Sequence, residues 1–490
     1  MCGGDVIAVR RPPRPAAEAA PAPLIAVLSL VALTVAVLQT GVVPILGVMA
    51  DQLNVSVLDI SWAVTANLLA AAATTPLLGR LADLHTKKRL LVIVLVVVLA
   101  GSLLAAVTSS LAALVVARVL QGASFALYPI GISILRDELP PERLMRAMAV
   151  LSGVLGFGGG IGLVITGLLI QDDADYHRMF WFMAVFCLVE LIAVILLVPQ
   201  RPSRATGSVD WVGAAGLALG LSGLLLAITQ GNVWGWTSAP VLGGGLGGLA
   251  VLALWWAWEV RCTHPLVSTA MLTRRPILFT NIATVAVGMG LYFGFLGLTV
   301  FVQVPIASGY GFGASVLWAS VVFLLPGAFA GFVAASLSGR YIDRFGARPV
   351  LVAGAALGVA GFAMLALAHE VSWQIIAAAV LVNSYISLAY GALPALVVRE
   401  VAPGETGVAT SMNAIARTVG ASMAAAVVAV LLARTTAAGY PPESTFTTIF
   451  VLGALTGVVA MVLIGISRPR LRDIGALEDA ESRALNHEWG

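Results

Sequence analysis

Apolar runs of about 20 residues recur along this chain from residue 24 to residue 466, each closed by a short polar stretch. That length crosses a hydrocarbon layer roughly 30 Å thick as an α-helix, and a helix is the one form that satisfies its own backbone hydrogen bonds there. The runs fall at 24–47, 60–82, 90–108, 111–134, 147–170, 179–199, 210–230, 240–260, 278–304, 314–337, 348–368, 373–397, 407–433 and 445–466. They predict an all-α polytopic membrane protein with fourteen transmembrane helices. Composition agrees: 60% of residues are hydrophobic and 10% charged, where a soluble domain needs about a quarter charged. The ten-residue alternation of a membrane barrel is absent.

Charge placement sets the orientation. With the N-terminus inside, 23 of the 27 basic residues fall on the cytoplasmic side, Arg178 and Arg434 fall outside, and Arg118 and Arg417 lie within spans. Such an asymmetry predicts cytoplasmic N- and C-termini. The basic segment holding Arg10, Arg11 and Arg14 looks like the start of a signal peptide, but the apolar run that follows is too long for a signal core and is read as an uncleaved first span. Trp234 and Trp236 are expected at the outer end of the seventh and eighth spans, and Trp255, Trp256 and Trp258 at the inner end, as headgroup-level belts.

Several chemistries are excluded. Lys87 and Lys88 are the only lysines and neither follows a glycine, so no phosphate-binding GK[ST] loop and no ATP-driven step is encoded; HExxH and GxSxG are missing too. The chain is not expected to be an enzyme, and no cofactor or metal is expected. Energy would come from a proton gradient or the substrate's own gradient. The net charge of +3 is spread out, which predicts no nucleic-acid partner. Cys2, Cys187 and Cys262 share no oxidising compartment, so no disulfide is expected.

Two charge clusters interrupt the apolar pattern at matching places. GRLADLHTKKR, residues 79–89, follows the second span, and GRYIDRFGAR, residues 339–348, follows the tenth. These are the second helices of two six-span blocks, so the blocks read as parallel repeats. GRLADLHTKKR resembles the loop signature of the major facilitator superfamily: glycine, three residues, aspartate, arginine, one residue, glycine, then basic residues. The six-two-six plan, with DWVGAAGLALG at 210, WGWTSAP at 234, WEVRCTHPL at 258, TRRPILFTN at 273 and NAIARTVGAS at 413, is similar to its fourteen-spanner drug:proton antiporters. The implied division is a disordered tail 1–23, a six-helix bundle 24–199, two linker helices 200–275, a second bundle 276–466 and a cytoplasmic tail 467–490.

The resemblance implies roles for residues. Gly79, Arg80, Asp83 and Lys88, with Gly339, Arg340, Asp343, Arg344, Gly346 and Arg348, would form a gate that latches the two halves; the alternative for Asp83 is a solvated loop acid. In the first copy Leu84 and Thr86 replace the family's arginine and glycine, which implies a looser first latch. Arg118 and Gln121 of RVLQG match a family motif that tunes proton transfer, or hold a neighbouring helix instead. Gly156, Gly158, Gly160 and Gly162 resemble the antiporter hinge of the fifth span, with Leu163 and Thr166 off pattern; two small-xxx-small faces equally suit plain packing.

The family's usual first-span acid is missing here. Glu190, midway along the sixth span, and Asp59 remain as proton-site candidates, with a structural glutamate as the other account of Glu190. A central cavity is expected from Gln39, Asn67, Gln121, Tyr128, Asn281, Tyr292, Gln303, Asn383, Tyr385 and Tyr390, with Asn413 and Arg417 beside it. Amide and aromatic groups without a fixed acid suit an amphipathic substrate.

These features together predict a monomeric proton-coupled exporter of lipophilic small molecules. Its place would be a bacterial inner membrane, since 25 arginines to two lysines suggest a GC-rich genome. The rivals are a proton-independent facilitator or importer of one solute, and a non-transporting sensor or scaffold.

Overall fold

The computed structural model describes residues 21–170, 174–201, 208–433 and 440–467. Most of the tail 1–23, the tail from 468 onward, Cys2 and Arg434 lie outside the described residues. Among the described residues all regular structure is helical, and fourteen helices are long and apolar enough to cross a membrane. They are α1 (Ala22–Leu53), α2 (Trp62–Leu84), α3 (Lys87–Val107), α4 (Leu111–Glu138), α5 (Arg143–Leu169), α6 (His177–Leu197), α7 (Trp211–Trp234), α8 (Ala239–Glu259), α9 (Arg275–Gln303), α10 (Ala319–Phe345), α11 (Ala347–Leu367), α12 (Ser372–Arg399), α13 (Thr406–Leu432) and α14 (Glu443–Ile466). Each coincides with an apolar run of the sequence. The main differences are at the ends. α1 continues past a 3-10 turn at Val43–Ile45, where Pro44 removes a donor, and α10 opens as a π-helix over Ala319–Leu324.

The packing repeats itself. α1 lies on α5, α2 on α4, α3 on α6 and on α4; eight helices later α9 lies on α13, α10 on α12, α11 on α14 and on α12. The bundles meet through a reciprocal pair of contacts, α2 against α13 and α5 against α10. α7 packs on both α2 and α13 and so bridges the bundles, whereas α8 leans on α7 and leaves Leu242, Leu246, Leu249 and Leu254 exposed to what a bilayer would cover. Where α7 begins, Asp210 accepts from the Gly213 amide (2.9 Å) and from Trp258 Nε1 (2.8 Å), which accounts for the DWVG start of that helix. Trp234 is not simply a belt residue, since its ring meets that of Trp62 on α2 at 6.1 Å.

Because successive helices alternate in direction, the loops after α2 and α10 lie at one end of the molecule, with Arg136, Arg146, Arg274, Arg275 and Arg399. We call this end the basic face and the opposite end the far face. Small residues bring the bundles together. Gly156 and Gly160 of α5 turn toward Ser387 on α12 and Ala328 on α10, while Gly158 and Gly162 turn toward α1, where an added Cβ would meet Ala36 at 2.7 Å or Val37 at 3.2 Å. One glycine face therefore crosses between bundles and the other packs within one.

The two basic-face turns are built differently. Gly346 has φ 88 and ψ 159, a region open in practice only to glycine, whereas Thr86 at the matching place has φ −60 and ψ 110, ordinary extended backbone. Thr86 thus needs no glycine, and its departure from the pattern is a change of turn, not a defect. Replacing Gly346 by alanine is expected to cost about 1–3 kcal/mol. Thr86→Ala, which removes no capping bond, should stay within about 0.5 kcal/mol. Thermal unfolding of the purified protein in detergent checks this, and equal shifts for the two variants would contradict it.

Candidate functional site

At the basic face a buried acid joins the two bundles. α2 carries Asp83 into the start of α13, where the carboxylate accepts from the Gly407 amide (2.9 Å) and the Val408 amide (3.0 Å). The first amides of a helix have no partner within it and carry the positive end of its dipole, so an ionised carboxylate is the fitting cap. Asp83 is 2% exposed, which shields the contact from water. Gly79 and Gly407 permit the approach: a Cβ at Gly79 would lie 2.8 Å from the Gly407 carbonyl oxygen. Arg136, near the end of α4, reaches the same corner, donating to the Val401 carbonyl (2.8 Å) and the Thr406 hydroxyl. The sequence gives no motif for Arg136 beyond its place at the charged end of a span. At the edge of the face Arg201 donates to Glu138 at 2.6 Å, and that hydrogen bond holds its guanidinium above its ordinary value.

The second copy latches more weakly. Asp343 meets Arg146 Nε of α5 at 2.9 Å, and the two side chains are 26% and 62% exposed. Leu84 and Thr86 take no part in the Asp83 contact, whose partners are the Gly407 and Val408 amides. Other residues grouped with the gate do different things. Lys88 donates to the Ile195 carbonyl near the end of α6 (2.7 Å), and Arg348 donates to the Ser467 carbonyl (3.1 Å). Arg344 lies over the Phe345 ring, Arg340 is exposed, and Arg80 is half-buried with Nε lacking a hydrogen bond. Gly339 does serve the interface, packing against Arg146.

A cavity of about 490 Å³ lies between the bundles, lined mostly by the far-face halves of α1, α2, α4, α5, α7, α9, α10, α12 and α13. Of the expected lining residues, Gln39, Asn67, Tyr292, Asn383, Tyr390 and Arg417 are there. Tyr128 lies behind them, its hydroxyl 2.7 Å from that of Ser152 and its ring under Arg417. Five others are displaced to structural tasks. Asn413 donates to Asn281 and Thr284, stapling α13 to α9, Gln303 donates along its own helix, and Tyr385 is buried against Gly358. Gln121 is turned away, fully buried, to Ser102 at 3.0 Å. Sequence reasoning missed α7, whose Thr229, Gln230 and Asn232 reach the cavity. Polar residues in the last turns of an otherwise apolar span were the available signal.

Arg118 lines the cavity at 1% exposure, with Nε on the Ala63 carbonyl (2.9 Å) and Nη1 on Gln121 Oε1 (2.7 Å). Both bonds bind α4 to α2 or to itself, so a helix-holding task is visible in the geometry. Glu190 is fully buried on α6, outside the cavity lining; Thr34 of α1 donates to its Oε2, and its Oε1 has no partner. Asp59, the other proton-site candidate, is exposed and closes a small turn with Ser56, whose hydroxyl lies 2.6 Å away. Among the described residues no group of His, Cys, Asp and Glu could hold a metal ion.

A family model described as Major Facilitator Superfamily matches residues 28–211 and 203–425. The tetracenomycin C resistance and export protein of Streptomyces glaucescens is 29% identical over 391 residues, 78% of this chain and 70% of its own. The uridine/deoxyuridine transporter of Lactococcus lactis subsp. cremoris is 26% identical over 361 residues, 71% of this chain and 73% of its own. Among solved structures, the human organic anion transporter MFSD10 superposes with a TM-score of 0.62 at 15% identity, covering 90% of this chain and 99% of its own.

The two latches can be separated by probing Ser411, fully buried against Gly79. In a background without native cysteines, maleimide labelling of Ser411→Cys should rise by a factor of about 5–30 when Asp83→Ala is added, the equivalent of 1–2 kcal/mol. Adding Asp343→Ala should change it less than about fivefold, since an exposed ion pair contributes about 0–1 kcal/mol. Equal acceleration by both would contradict the assignment.

Proposed function

Since the chain belongs to the major facilitator superfamily, and is a multi-pass membrane transporter, we propose that it exports amphipathic small molecules by alternating access, coupled to protons. The observation that carries this reading is the pairing of a cavity on the far-face side with a sealed basic face. With the basic face in the cytoplasm, this is the state that has delivered its cargo outside. Breaking the Asp83 contact while the α5–α10 and α2–α13 interfaces rock would turn the same cavity inward. The similarity to a tetracenomycin C resistance and export protein supports efflux, and the mixed aromatic and amide lining suits an amphipathic cargo.

Proton coupling is assigned to Glu190. It bonds to α1 through Thr34, and α1 places Gln39 and Thr40 on the cavity wall further along the same helix. Loading a proton on the carboxylate changes that bond and thereby the seat of α1. Arg118 and Gln121 hold α4 rigid beside α2 while this happens. Gly156 and Gly160 are the surface over which the bundles move. A second reading, uptake of one hydrogen-bonding solute, is favoured by Gln39, Asn67, Gln230 and Asn383 in the lining and by the similarity to a uridine/deoxyuridine transporter.

Proteoliposomes test both. Under an imposed pH gradient the purified protein should drive a lipophilic dye against its concentration gradient, and Glu190→Gln should abolish the accumulation while leaving downhill exchange. Accumulation indifferent to the pH gradient would overturn proton coupling, and coupling intact in Glu190→Gln would remove Glu190 from it. Saturable uridine uptake without dye movement would favour the second reading.

A further inference from the structure

The cavity between the bundles holds positive charge and no negative charge. Its lining includes two guanidinium groups, Arg118 and Arg417, and no aspartate or glutamate. Arg118 is occupied by a backbone carbonyl and an amide side chain. Arg417 is the open one. The twelfth residue of α13 and half-buried, it stands 4.8 Å from the Tyr390 ring centroid and 5.6 Å from that of Tyr128. Among the described residues it makes no ion pair. The nearby helices do carry acids, but each is committed elsewhere: Asp83 to the start of α13, Glu190 to Thr34 behind α1, and Asp59 to Ser56.

A guanidinium inside a span is costly, and the faces of two tyrosine rings offset only part of that cost. A neutral cargo would leave the charge unmatched, and a cationic cargo would add repulsion between like charges. A carboxylate, in contrast, would accept two parallel N–H bonds from the fork, and an ionised acidic phenol would accept a charge-assisted bond on its one oxygen. Phe125, Tyr292, Phe295 and Tyr390 supply apolar surface around it for a flat ring body.

We propose that the cargo is an amphipathic organic anion, an aromatic body bearing a carboxylate or acidic phenol, whose negative group docks on Arg417. This rests on the export reading above and names the substrate class of the same cavity. It also accounts for a cavity without a titrating acid: an interior-negative membrane potential pushes an anion outward directly, so charge movement needs no carboxylate on the cavity wall.

Two dyes on one xanthene scaffold, anionic fluorescein and cationic rhodamine 123, make the test. In proteoliposomes of the full chain, fluorescein should move at least about tenfold faster than rhodamine 123, the scale of one charge-assisted contact. Arg417→Gln should bring fluorescein close to the rate of empty vesicles with thermal unfolding unchanged, and Arg417→Lys should restore part of the transport. Rhodamine 123 moving equally or faster, or fluorescein unaffected by Arg417→Gln, would overturn anion selection while leaving export standing. Movement of neither dye counts against export itself and removes the proposal with it.

Discussion

The carboxylate of Asp83 on the first amides of α13 is the contact on which the observed arrangement depends. It joins the end of a helix from one bundle to the start of a helix from the other, at the one face where both are crowded with positive charge. Two conditions make it possible. α13 must expose unpartnered amides, and Gly79 and Gly407 must lack side chains so that the backbones close. With that corner shut, the remaining space between the bundles can only open toward the far face, and there the cavity lies.

The two turns that the repeat places at matching positions are unequal. Asp83 is buried and meets a helix terminus, while Asp343 is partly exposed and meets the single side chain of Arg146. The paired interfaces differ in the same sense: α2–α13 carries the buried Asp83 contact, and α5–α10 packs small residues such as Gly160 on Ala328 with the exposed Arg146–Asp343 pair at its basic-face end. A strong, directional lock beside a smooth contact is what a two-state rocker requires, since the first defines one end state and the second allows travel away from it. α7, packed on α2 and α13 and lining the cavity, is part of the cavity wall and not a mere connection.

Much of the fold was legible because a bilayer imposes one rule on every span, and each apolar run became a helix. Side-chain partners were less legible. GRLADLHTKKR announces a gate, but its strength depends on Gly407 and Val408, some 320 residues away, which no local pattern reveals. Gln39, Asn67 and Asn383 were found by polarity within spans on the expected helices. Asn281 and Asn413 satisfy the same criterion and instead bond to each other, since a polar group in an apolar span serves a helix contact as readily as a cavity. Gln230 and Asn232 were passed over because linker helices carried no expectation of lining anything.

Distances across the two faces of the reconstituted protein test the account most directly. With Cys2, Cys187 and Cys262 replaced, spin-label pairs would span the bundles at the basic face, on the exposed ends of α2 and α12, and at the far face, on α4 and α11. Alternating access about the Asp83 lock predicts two populations in which the basic-face distance lengthens as the far-face distance shortens, with the balance moved toward the former by Asp83→Ala. A single population on both faces, unmoved by Asp83→Ala, would contradict it.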